Sequence, residues 1–253
     1  EILTPDFGFG MEGALTKREE DLVGIANGID TDVWDPRTDS HLPANYSAKN
    51  LSGKALCRKA LLKETGLTDT DKPVYGMVCR LTEQKGVDSL LKRMNFFIKN
   101  DCRLVILGTG DPGYERSLKR WAKSHPDRVG VCMRLDERMS HLVEAGSDYF
   151  LMPSVFEPCG LNQMYSQRYG TLPLVSNVGG LYDTVIDFRD DEEAGTGMRF
   201  EPTEAGFKEA LKVSLALFSD KASYEKAQAN GMNRDFSWSN VAKGYEDLYA
   251  ESI

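Results

Sequence analysis

Phe156-Glu157-Pro158-Cys159-Gly160-Leu161-Asn162-Gln163 places a carboxylate, a proline and a glycine between an apolar run, Tyr149 to Pro153, and a helix-like run, Asn162 to Tyr169. Pro158 biases Glu157 towards extended backbone. Gly160 lets a ligand approach the main chain closely. The free N–H groups of the helix start favour an anion. A second signal is Arg80-Leu-Thr-Glu-Gln-Lys85-Gly86. Arg80 can fork onto phosphate oxygens and Lys85 supplies a compact charge. Cations at a helix start oppose the helix dipole, which argues for a functional reason to keep them there. A third is Val178-Gly179-Gly180-Leu181, where paired glycines before a helix expose N–H donors to an anion.

Other chemistries fit less well. Gly108-Thr-Gly110-Asp111-Pro-Gly113 matches the G-x-G-x-x-G spacing, and Asp136 stands near the place of the ribose-binding acid. That fingerprint normally opens its fold, whereas here a strand–helix unit with its own cationic pair precedes it. A loop facing a nucleotide base or ribose is the better reading than a nicotinamide or flavin site. Cys159 has no histidine near it in sequence, so a small buried thiol is favoured over a nucleophile. Glu157 as half of a glycosidase pair needs a second carboxylate at a defined separation, and neither Asp148 nor Asp183 is an evident partner. Histidines 41, 125 and 141 and the five cysteines are dispersed and include no C-x-x-C, so no metal site is expected. Trp34, Trp121 and Trp238 are spread out and read as packing residues.

The elements that must position these residues alternate. Val74–Cys79, Leu104–Leu107, Val129–Met133, Tyr149–Pro153, Leu174–Ser176 and Met198–Phe200 read as buried strands. Helical patterns fall between them at Val87–Phe97, Tyr114–Ser124, Met139–Ala145, Asn162–Tyr169 and Leu181–Ile186. The expectation is an α/β fold: a Rossmann-like parallel sheet with helices on both faces and ligands at the carboxyl ends of strands. Three helices close the chain, Glu204–Phe218, Ser223–Arg234 and Ser239–Glu251. Asp35 to Asn50, polar with two prolines, reads as a surface connector.

With 41% apolar and 28% charged residues the chain is an ordinary globular protein. A net charge of −8 and a pI near 5.1 argue against a nucleic-acid partner. No apolar run reaches the roughly 18 residues of a membrane span, and no stretch reads as a signal peptide. Five scattered cysteines suit reduced thiols inside a cell.

Together these pieces resemble the carboxyl-terminal half of the starch and glycogen synthases, retaining glycosyltransferases of two Rossmann-like domains, the GT-B architecture. The resemblance runs from Gly28-Ile-Asp30 and Trp34 through Arg80–Gly86, Leu107–Asp111 and Glu157–Gln163. It continues through Tyr169–Pro173, Gly179–Thr184 and Asp235–Trp238. It implies glucosyl transfer from ADP-glucose, or another nucleotide-glucose, to the non-reducing end of an α-1,4-glucan, with ADP as product and no cofactor. Arg80 and Lys85 would hold the diphosphate. Glu157 and the backbone of Cys159, Gly160 and Leu161 would hold the sugar hydroxyls, and Asn162 the distal phosphate. Gly108, Gly110, Asp111, Leu135 and Asp136 would face the nucleoside, with Gly179 and Gly180 against the donor. Relatives that stack an aromatic ring on adenine differ here at Leu135, and a threonine often found before the glycine pair is Val178.

The resemblance further implies that residues 1–27 are the tail of an amino-terminal domain and its linker. Residues 28–238 would be the donor domain, and 239–253 a helix that crosses back, with Val241, Tyr245, Leu248 and Tyr249 partly uncovered. The Lys-x-Gly-Gly loop and acceptor surface of that amino-terminal domain are not in the sequence, so the chain alone is expected to bind donor without turnover. A bacterial cytoplasm or a plastid is the implied location. The alternative from another class is a non-catalytic nucleotide-sugar or glucan-binding module.

Overall fold

The apolar runs become strands because parallel strands, covered on both faces, need side chains that can be buried on both. The computed structural model describes residues 2–251. Two short helices, α1 (Pro5–Gly8) and α2 (Glu12–Thr16), precede α3 (Ser52–Glu64). Strand β1 (Val74–Val78) is followed by α4 (Val87–Leu91) and α5 (Met94–Lys99), then β2 (Arg103–Leu107) and α6 (Pro112–Ser124). Next come β3 (Val129–Cys132), α7 (Glu137–Gly146), β4 (Tyr149–Met152), α8 (Asn162–Arg168), β5 (Leu172–Ser176) and α9 (Gly179–Thr184). The last are β6 (Met198–Phe200), α10 (Glu204–Ser219), α11 (Lys221–Met232) and α12 (Trp238–Glu251).

All six strands are parallel, in the order β3-β2-β1-β4-β5-β6. This is the expected Rossmann-like sheet. Alternate residues feed two cores. Tyr75, Met77, Leu104, Ile106, Tyr149 and Leu151 pack on one face with α4, α5 and α10. Val74, Val105, Leu107, Phe150 and Met152 pack on the other with α3 and α7. No helix among the described residues is long and apolar enough to cross a membrane. Helix α12 buries none of its side chains, and Tyr245 and Tyr249 are exposed on it.

Residues 35–50 correct the expectation of a surface connector. Asp35, Asp39, Leu42 and Tyr46 are buried. Asp35 pairs with Arg168 at 3.1 Å, and the Tyr46 hydroxyl donates to the Tyr169 carbonyl at 2.8 Å. Asp39 accepts from the Tyr169 hydroxyl at 2.6 Å. Burial would raise the Asp39 carboxyl, but hydrogen bonds from His141 and Tyr169 outweigh it and hold it below the ordinary range. Two of the three histidines come together in space: the His41 and His141 rings lie 4.7 Å apart. Trp34 packs as expected, stacked between His141 and Tyr165 at 3.7 and 3.8 Å.

Helix α3 went unread in the sequence because its inner face carries a lysine. Lys54 Nζ donates to the carbonyls of Ala145, Ser147 and Tyr169 at 2.9–3.0 Å and to Thr171 Oγ1 at 2.7 Å. Its charge thus sits at the carboxyl end of α7, where the helix dipole favours a cation. Burial nevertheless lowers its pKa to about 8. The unfolded lysine, near its ordinary 10.5, then holds more protons than the folded one between pH 8 and 10.5. Stability from this group therefore rises with pH across that window, by up to about 1.4 kcal/mol per pH unit. Denaturant titrations of Lys54→Met should lack that rise. An identical pH profile in both proteins would refute it.

Candidate active site

In a sheet of this order the crevice opens where the connections reverse direction, at the carboxyl ends of β1 and β4. These strands are neighbours, with Tyr75 opposite Tyr149. Both strong sequence signals leave from these two ends, so the topology brings together residues more than seventy positions apart. A cleft of about 350 Å³ results, lined by Asn27, Cys79, Arg80, Lys85, Ser154, Glu157 and the run Cys159 to Asn162, over the strand-end residues Met77, Val78, Leu151 and Met152. Its charged lining is two cations and one carboxylate, a balance of one positive charge in a chain of net −8.

The centre is an ion pair. Lys85 Nζ lies 2.5 Å from Glu157 Oε2, and the side chains are only 19% and 8% exposed. Ser154 Oγ donates to the same oxygen at 3.2 Å. Arg80 reaches outward from the end of β1 and is exposed, its Nη2 3.5 Å from Gln84 Oε1. Gln84 in turn reaches the Phe156 carbonyl at 3.4 Å and accepts from the Val155 N–H at 2.8 Å. The β1 and β4 loops are therefore tied together through Gln84 and Lys85. Burial pushes the Cys79 thiol up to about 12, so it stays protonated at neutral pH.

Two glycines make this approach possible. Gly86 adopts φ +68°, and a Cβ there would fall 1.8 Å from the Pro153 carbonyl oxygen. Only glycine allows the Lys85 turn to lie on the β4 loop. Gly160 adopts φ +72°, under a loop braced by Gln163. Gln163 Nε2 donates to the Cys159 and Gly160 carbonyls, both at 3.1 Å, and to Thr184 Oγ1 at 3.0 Å. Leu161, exposed, precedes α8, and no side chain caps that helix.

Arg80, Lys85, Glu157, Cys159, Gly160, Leu161 and Asn162 thus converge. Asn162 Nδ2 also donates to the Val78 carbonyl at 3.3 Å. Gly179 and Gly180 support the cleft from behind: the Gly180 N–H donates to the Glu157 carbonyl at 3.1 Å, and a Cβ there would meet the Cys159 carbonyl oxygen at 2.5 Å. Gly108 and Gly110 lie against the backbone of Cys79 and Leu81, outside the cleft. Asp111 and Asp136 each also cap a helix. Asp111 caps α6 by accepting from the N–H groups of Gly113 and Tyr114, and Asp136 caps α7 through the Met139 N–H. Each Oδ1 thus sets a loop's shape. Leu135 stands 87% exposed between Arg134 and Asp136, which pair at 2.8 Å.

Sequence reasoning gave no role to Ser154, Gln84, Gln163 or Asn27. Ser154 had a usable signal, since it directly follows the expected strand Tyr149–Pro153, and Gln84 lay inside the Arg80–Gly86 motif. Asn27 had none, since it lies in an irregular stretch well before the first strand. The carboxylates considered as partners for Glu157 are elsewhere. Asp148 accepts from the Val74 N–H at the amino end of the sheet and pairs with Arg58, and Asp183 is exposed on α9. Cys159 is half-buried rather than buried.

The profile of the family "glycosyl transferases group 1" matches residues 59–234. The chain is 54% identical to a glycogen synthase of Opitutus terrae over 254 residues, covering all of this chain and 53% of that protein. It is 47% identical to a glycogen synthase of Aeromonas hydrophila, covering all of this chain and 52% of that one. The catalytic domain of starch synthase IV from Arabidopsis thaliana, bound to ADP and acarbose, superposes with a TM-score of 0.93 at 35% identity, over all of this chain and 53% of that one. The chain spans about half the length of the relatives it matches.

Proposed function

Because the chain belongs to the glycosyl transferases group 1, we propose that its cleft is the donor half of a glucan synthase, taking ADP-glucose and passing glucose, with retention, to the non-reducing end of an α-1,4-glucan. The observation that carries this reading is the convergence of Arg80, Lys85 and Glu157 on one cleft between β1 and β4. Arg80 and Lys85 hold the diphosphate, and Asn162 meets its distal phosphate. Glu157, with the backbone of Cys159 to Leu161, holds the glucose hydroxyls. The loops at Gly108–Asp111 and Leu135–Asp136 face the nucleoside. The starch synthase carrying ADP supports this assignment by its similarity.

In the transfer, the bond from the anomeric carbon to the diphosphate oxygen breaks and a bond to the acceptor hydroxyl oxygen forms on the same face. The acceptor proton passes to the departing phosphate oxygen. Negative charge grows on the leaving group, where Arg80 and Lys85 stabilise it. Residues 28–238 form the donor domain, and residues 1–27 and 239–253 belong to the connection with an acceptor-binding domain. One wall of a cleft cannot position an acceptor or exclude water, so the 253-residue chain binds donor but turns over negligibly. Leu135 offers no ring to stack on adenine, which leaves base preference to the loop backbone.

Competition of ADP, UDP and NAD for the isolated chain tests the reading. ADP is expected to bind most tightly and NAD not measurably. NAD binding without either diphosphate would overturn it, as would glycogen elongation by the isolated chain for the two-domain requirement.

A further inference from the structure

We propose that His41, Glu137 and His141 form a binding site for a zinc-like divalent transition metal, pinning the 35–50 segment to the start of α7. Each residue offers one ligand atom, and the three atoms lie within 4.8 Å of one another. Glu137 and His141 are four residues apart on α7, so they share a face. His41 comes from the segment packed on that face. The inference does not rest on the proposed function.

The state of His141 carries it. The side chain is fully buried. Nδ1 lies 2.7 Å from Asp39 Oδ2. An ionised carboxylate can only accept, so Nδ1 is the donor here, and in the neutral ring Nε2 is the nitrogen that carries the lone pair. Nε2 is buried without a hydrogen-bond partner among the described residues. Trp34, stacked at 3.7 Å, fixes the ring plane. A carboxylate on one imidazole nitrogen, orienting the ring and raising the basicity of the other nitrogen, is the support that metal-bound histidines have.

Two imidazoles and one carboxylate suit zinc and its first-row neighbours. Calcium and magnesium instead favour all-oxygen sites. Tetrahedral zinc ligands at about 2.0–2.1 Å stand about 3.4 Å apart. The three atoms must therefore close somewhat around the fixed His141. His41 is half-buried and Glu137 exposed, so both side chains have room to do so. Water fills the fourth position. The site is structural, holding the helix start that follows Leu135 and Asp136.

The test uses the untagged chain with zinc in thermal melts and cobalt(II) as a visible-absorption probe. His41→Ala and Glu137→Gln leave the buried core intact, which metal-free melts check. Zinc is expected to raise the Tm of the parent chain. Cobalt is expected to bind once per chain, with bands of nitrogen and oxygen ligation. Each variant should bind at least tenfold more weakly. No zinc shift and no cobalt bands would overturn the proposal. So would unchanged binding in both variants, or a thiolate charge-transfer band placing the ion on the free cysteines.

Discussion

Lys85→Ala is expected to weaken ADP binding by about 10- to 150-fold, the worth of one charge-assisted hydrogen bond of 1.5–3 kcal/mol. Titration calorimetry on the 253-residue chain reads this directly. The same substitution leaves Glu157, only 8% exposed, with the Ser154 hydroxyl as its remaining side-chain partner. A buried carboxylate so stranded costs about 1–3 kcal/mol, which at this chain length lowers the Tm by several degrees. Folding and binding effects are separable, because Lys85→Ala combined with Glu157→Gln removes the stranded charge. The double variant should regain most of the lost Tm while binding ADP at least tenfold more weakly than the parent. Affinity recovered along with stability would show that Lys85 acts on the fold rather than on the diphosphate.

The sheet was legible because parallel strands bury both faces and so print as unbroken apolar runs. Val74–Val78 and Tyr149–Met152 needed no partner to be recognised. Strand β5 begins at Leu172, two residues earlier than read, because Pro173 marks a break in a sequence even where a strand runs through it. The Arg80–Gly86 and Glu157–Gln163 loops were legible as anion-suited strand ends. That they face each other was not, since adjacency of β1 and β4 belongs to topology. What failed was buried polarity. Lys54 on α3 and Asp35 and Asp39 in the preceding excursion look like surface residues until their partners near 141–171 are in place. Those partners lie about a hundred residues away, and no local period signals them. The resemblance to starch and glycogen synthases, carried by short motifs in order, is borne out by the relatives matched over the whole chain.

Glu157→Gln should separate binding from transfer in the opposite sense to Lys85→Ala. In the ligand-free cleft the carboxylate neutralises Lys85 at 2.5 Å, so a diphosphate must compete with it for the same ammonium. Glutamine keeps the shape and one acceptor but releases the lysine, and ADP binding to the chain should tighten several-fold. The sugar loses a charged acceptor for its hydroxyls at the same time. In a polypeptide joining this chain to an acceptor domain like that of its relatives, transfer should fall by roughly 100-fold, the cost of one charged hydrogen bond plus a poorly held reacting centre. The contrast matters more than either number. A residue serving only the fold would lower affinity and rate together, and one serving only the phosphates would weaken ADP. Tighter ADP with slower transfer is the signature of a carboxylate that holds the sugar while restraining the phosphate-binding lysine. Weaker ADP binding in Glu157→Gln would refute that division of labour between the two loops.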